Sequence, residues 1–139
     1  MTLLKLYEEA EQNGIEVDCF SLKKVESLSL MDEDGICHIA IDPFQLTSTA
    51  DETVKLAHEL GHCRTGSFYT RSGPLDLRSR LENRADKWAI RKLITSEDLS
   101  DAVADGCTEI WQLAEYFNVT EDFARKAVSL HTRGNLTSA

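Results

Sequence analysis

The chain contains no run of apolar residues approaching the roughly 18 that a bilayer-crossing helix needs, so no membrane span is expected. Its opening stretch, "MTLLKLYEEAEQNG", lacks a positive segment followed by an apolar core and a small-residue cleavage site. That stretch reads instead as an amphipathic helix with Leu3, Leu6 and Tyr7 on one side, and the expected location is the cytoplasm. Cysteines are few and scattered: Cys19, Cys37, Cys63 and Cys107 form no CxxC pair, which excludes a cysteine-based zinc knuckle or a dithiol redox site and leaves reduced thiols as the expectation. Cations are also in short supply. With 15 Lys and Arg against 24 Asp and Glu the net charge is -9, and an acidic surface disfavours nucleic acid, whose phosphates call for a basic face. Two prolines, seven glycines and no repeats or low-complexity tracts leave no linker, and 139 residues at 42% hydrophobic content suit one core, hence a single domain over residues 1–139.

The residues that are present divide the chain into a short mixed part and a long helical part. Gly14 stops the first helix, and "IEVDCF" then alternates as a strand does. "ESLSLM" and "ICHIAID" flank "DEDG", where Asp34 and Gly35 suit a hairpin turn. From Ser48 onward the segments read as helices. "STADETVKLAHELGHCRTG" opens on a capping signature, Thr49 with Glu52 three residues later, and stops near Gly66. A loop, "GSFYTRSGPLD", separates it from "LRSRLENRADKWAIRKLI", after which Ser96 and Thr120 are N-cap candidates for further helices. The expected class is α+β: a small N-terminal three-stranded sheet of antiparallel type on a mostly helical domain, ending in C-terminal helices.

The chemistry concentrates in "LAHELGHC", residues 56–63, which holds two of the four histidines. At about 100° per residue His58 and His62 fall about 40° apart on a helix, so one ion can take both imidazoles while Glu59 lies to one side. Two ligands on one turn with a carboxylate beside the metal is the geometry of the HExxH motif. The spacing alone arises about once per hundred shuffles of such a composition, so its setting decides. Enzymatic zinc sites usually take three protein ligands and leave a position open for water. In "SRLENRADKWAIRKLI", Leu81, Ala85, Trp88, Ala89 and Leu93 share an arc that also contains Glu82. A carboxylate among apolar neighbours needs a cation or a proton to offset its desolvation, which makes Glu82 the candidate third ligand. Ala85 and Ala89 are small enough to let the two helices approach. Asp86, on the edge of the same arc, is placed to accept the second ring N–H of a ligand histidine.

From the strand ending in "IDP" through "LAHELGHC", "TGSFY" and "LENRADKWA" to "WQLAEYFNVTEDFARKA", the chain resembles the ImmA/IrrE metallo-endopeptidases, most specifically between Ala57 and Ala89. Glu82 followed four positions later by Asp86 is also the pattern of a gluzincin third-ligand helix. The resemblance implies a zincin-like fold, zinc held by His58, His62 and Glu82, Glu59 as catalytic carboxylate, and a protein substrate, a helix-turn-helix repressor of the kind carried by phages and other mobile elements. Tyr69 is the candidate donor to the oxyanion that peptide cleavage develops.

The remaining candidates are weaker. His38 shares a strand face with Ile36 and Ala40 and would touch substrate only if that strand bordered the cleft. His131 reads as a surface residue, and Cys63 points about 100° away from His62, into the core. Residues 108–132 have the outline of a helix-turn-helix, with Ala114, Val119 and Ala124 at its small or apolar positions. Yet Glu109, Glu115, Glu121 and Asp122 outnumber Arg125 and Lys126, so packing or substrate recognition is expected there rather than DNA binding. A silent zinc protein that sequesters a regulatory partner is the other alternative to an enzyme.

Overall fold

A computed structural model describes residues 1–69 and 73–137, with the side chains of 134–137 excepted. The first helix, α1 (Leu3–Gln12), starts where the Thr2 hydroxyl accepts the Lys5 amide at 3.3 Å, and it buries Leu6 and Ala10. Gly14, at φ +69°, then turns the chain into β1 (Glu16–Cys19). The hairpin strands are β2 (Ser27–Met31) and β3 (Cys37–Ile41). Their turn is fixed by Asp32, whose carboxylate accepts the amides of Asp34 and Ile36 at 2.9 and 3.0 Å.

The sheet order is β1-β3-β2, with β3 antiparallel to β2 and parallel to β1. The sheet is therefore mixed, not of antiparallel type as the sequence suggested. The tight hairpin fixes only the β2–β3 pair, whereas β1 reaches β3 through a longer connection that lets the two run the same way. As the central strand β3 is the most buried, with Ile39 and Ile41 at 1% and 0% exposure. Pairing sets Ser27, Ser29 and Met31 opposite Ile41, Ile39 and Cys37 on one face of the hairpin.

That face is covered by α2 (Thr49–Thr65), which packs in turn against α3 (Leu75–Leu93). The cap of α2 is Ser48, one residue before the expected Thr49: its hydroxyl accepts the Asp51 amide at 3.1 Å. Gly66, at φ +66°, ends the helix. Residues 70–72 of the loop that follows lie outside the described residues. The two long helices touch backbone to backbone, since a Cβ on Gly61 would sit 2.5 Å from the Ala85 carbonyl oxygen. Three further α-helices follow: α4 (Ser96–Ala104), α5 (Ile110–Phe117) and α6 (Glu121–Thr137). Thr95, not Ser96, caps α4, in a reciprocal box with Asp98. Val119, Phe123, Ala124 and Ala127 are buried, so the α5–α6 pair spends its apolar face on the core of the molecule.

Two expectations are corrected here. Cys37 on β3 and Cys63 on α2 are joined as a disulfide with Cα atoms 5.9 Å apart, where reduced thiols were expected. Their 26-residue separation carries no pairing signal, and only the packing of α2 on the sheet brings them together. His131 is half-buried rather than superficial, its Nε2 2.7 Å from the carbonyl oxygen of Ile94 just beyond α3. No helix among the described residues is long and apolar enough to cross a membrane.

Candidate metal centre

His58 and His62 lie one turn apart on α2, and Glu82 faces them from α3. His58 Nε2 is 2.7 Å from one Glu82 oxygen and His62 Nε2 is 3.2 Å from the other, with the two Nε2 atoms 3.2 Å apart. Three donors from these residues lie within 4.8 Å of one another, the one such grouping of three or more His, Cys, Asp or Glu among the described residues. Tetrahedral zinc at about 2.0–2.2 Å from its ligands needs donors about 3.3 Å apart, so the set fits the ion in kind and in spacing.

The outer ring nitrogens fix which atoms remain for a metal. His62 Nδ1 is 2.6 Å from the Ser67 carbonyl oxygen, which can only accept, so Nδ1 carries a proton and Nε2 is the ring atom left to ligate a metal. His58 Nδ1 is 2.7 Å from an oxygen of Asp86. Lys126 of α6 reaches the other oxygen of Asp86 at 3.4 Å.

Without a metal these groups act as a proton-sharing cluster. Burial disfavours the His58 imidazolium, but hydrogen bonds to Asp86 and Glu82 outweigh it and push the ring up to about 10. His62 is opposed by burial too, and its bonds to Glu82 and Ser67 still raise it. Glu82 is held well below the usual carboxylate range by hydrogen bonds from His58, then from His62, against the effect of burial. In Asp86 burial is likewise overcome, chiefly by the bond from His58, and the carboxyl is lowered. The positive charge that these rings hold against the two carboxylates is what a divalent cation would replace.

Glu59 sits beside this group and outside it. It is 6% exposed, and its two oxygens accept hydroxyls from Ser27 and Ser29 of β2 at 2.7 and 2.8 Å. Tyr69 is also at the site: its hydroxyl donates to Glu82, and the Arg78 guanidinium lies over its ring at 5.4 Å. A cleft of about 630 Å³ opens over these residues, walled by β2 on one side and by Phe68 and Tyr69 on the other.

His38 is the candidate that the fold sets aside. Its strand is the central one, with both edges paired, and its ring is held by Asp32 at 2.8 Å and Glu16 at 3.1 Å. The strand bordering the cleft is β2. Sequence reasoning missed Ser27, Ser29, Ser67 and Gly61. Only Gly61 left a signal, because a glycine inside a helix weakens it by about 1 kcal/mol and points to a close approach of another backbone.

Two helices that bring two imidazoles and a carboxylate together could hold one metal ion. Residues 27–129 match the IrrE N-terminal-like domain, the Peptidase_M78 family, and with well over half its length matched the chain belongs to that family. No curated protein and no solved structure matches the chain.

Proposed function

We propose that the chain is a zinc-dependent endopeptidase acting in the cytoplasm, and that its substrate is a helix-turn-helix transcriptional repressor whose cleavage switches genes of a phage, mobile element or stress response on. The observation that carries the enzymatic reading is the convergence of both Nε2 atoms on Glu82, with the outer nitrogens anchored and Glu59 alongside.

His58, His62 and Glu82 would hold the ion. When bound it supplies Lewis-acid chemistry, withdrawing electrons from the scissile carbonyl and making a water easier to deprotonate. Glu59 accepts that proton as the water attacks and passes it to the leaving amine. Tyr69 turns its hydroxyl from Glu82 to the carbonyl oxygen as negative charge develops there. Asp86 keeps the His58 ring oriented. A second groove of about 670 Å³, bordered by Thr120 and by Phe123 and Lys126 of α6, shares His58, Glu59 and Glu82 with the cleft. This gives an extended peptide a path across the site.

The test is to locate the gene's neighbours and incubate the purified protein with each helix-turn-helix repressor that they encode. Cleavage is expected with zinc, none with a chelator, and a loss of at least about 1,000-fold in kcat in Glu59→Gln with one zinc per chain retained. Regulation of the repressor by Glu59→Gln equal to that by the wild type, without cleavage, would replace the enzyme by a zinc protein that sequesters its partner.

A further inference from the structure

Glu59 would take a proton from water in the proposed reaction, and two side chains already occupy its carboxylate. Ser27 and Ser29 alternate on β2, so the twofold period of the strand sends both to the same side. Each serves a different oxygen, Ser27 Oε2 at 2.7 Å and Ser29 Oε1 at 2.8 Å. Their backbones are locked by pairing to Ile41 and Ile39 of β3, both buried, which fixes the height of the two hydroxyls above α2.

A glutamate beside a divalent cation has two competing positions, on the ion as a further ligand or next to it as a base. A side chain with three rotatable bonds does not choose between them unaided. We infer that Ser27 and Ser29 are positioning residues that hold the Glu59 carboxylate beside the metal centre in the orientation of a proton acceptor. An ionised carboxylate offers about four lone-pair directions, so two donated hydroxyls fix the plane of the group and still leave room for a proton. Charge-assisted bonds of this kind are about twice as strong as neutral ones, enough to hold a buried group in a single rotamer. The edge strand of the sheet thereby becomes part of the proton-transfer apparatus as well as a wall of the cleft. The inference rests on the peptidase reading above.

The test compares the zinc-loaded full chain with its Ser27→Ala/Ser29→Ala and Ser27→Thr/Ser29→Thr forms, with the helix-turn-helix repressor that the wild type is found to cleave as substrate. Misplacing a reacting group by about 1 Å reduces turnover by about 100-fold. Accordingly the alanine form is expected to lose about 100-fold in kcat with KM within about threefold, while the threonine form, which keeps both hydroxyls, stays within about threefold of wild type. Zinc affinity, measured by competition with a chromogenic chelator, is expected to hold at one ion per chain within about threefold, because neither serine touches a candidate ligand. Should the double alanine form fail to fold, Ser29→Ala alone decides, with an expected loss of about tenfold. An unchanged kcat, a change in KM alone, or a loss of zinc affinity matching the loss of activity would overturn the positioning role and leave the peptidase reading standing. An inactive wild type that binds one zinc would overturn both.

Discussion

Glu82 shows how a single residue can announce a site. On the helix wheel it lies among Leu81, Ala85, Ala89 and Leu93, where a carboxylate has little reason to be without a positive partner. In the folded chain its partners are the rings of His58 and His62. This much was legible in the sequence because period and chemistry agreed: two histidines at a one-turn spacing on one helix, and a misplaced acid on the next. The hydroxyls on Glu59 and the Ser67 carbonyl on His62 were not legible, since serine is common and nothing in the local pattern tells which ones a distant carboxylate or ring will meet. The protonation of His58 leads to a prediction at this scale. Its folded value, about 10, lies above the ordinary imidazole value, so in the metal-free chain its contribution to stability is complete below about pH 6.5 and is lost as pH rises toward 10. Zinc binds the neutral ring, so loading at pH 7 must release a proton. Calorimetric zinc titrations in buffers of different ionisation enthalpy should show that release. Zinc uptake at pH 7 with no proton released would count against it.

Among the elements, α2 and α3 hold the candidate ligands, and Gly61 is where they meet. An added methyl there would lie 2.5 Å from the Ala85 carbonyl oxygen, which is backbone and cannot step aside as a flexible side chain would. Gly61→Ala is expected to destabilise the fold by about 1–3 kcal/mol and to weaken zinc binding, because α3 must move and Glu82 moves with it. Thermal unfolding and a zinc titration of the same variant check both halves, and unchanged stability would show that the helices have room to spare. Helix existence and order were readable from the chain, as were the turn at Gly35 and the stop at Gly66. Cap positions shifted by a residue, to Ser48 and Thr95, because neighbouring hydroxyl residues compete for the same role and backbone geometry chooses between them. The parallel pairing of β1 was hidden for a related reason: alternation identifies a strand but does not name its neighbour.

At the scale of the whole molecule, the sheet, the two long helices and the α5–α6 pair converge on the same few residues. Lys126 reaches Asp86 from α6, and the Cys37–Cys63 bridge ties the sheet to α2 one residue beyond His62. A bridge closing 26 residues should contribute about 3 kcal/mol by restricting the unfolded chain. Reduction is therefore expected to lower the unfolding temperature by on the order of 10 °C, and Cys37→Ser should reproduce the shift without reductant. An unfolding temperature indifferent to both would dissolve the link. The claim beneath all of this is that one divalent cation is shared between α2 and α3 by two imidazoles and a carboxylate. X-ray absorption spectroscopy of the zinc-loaded protein measures that donor set directly. Two imidazole nitrogens and at least one oxygen are expected at about 2.0–2.2 Å with no sulfur; a sulfur scatterer near 2.3 Å, or a spectrum unaltered by Glu82→Ala, would contradict the shared site.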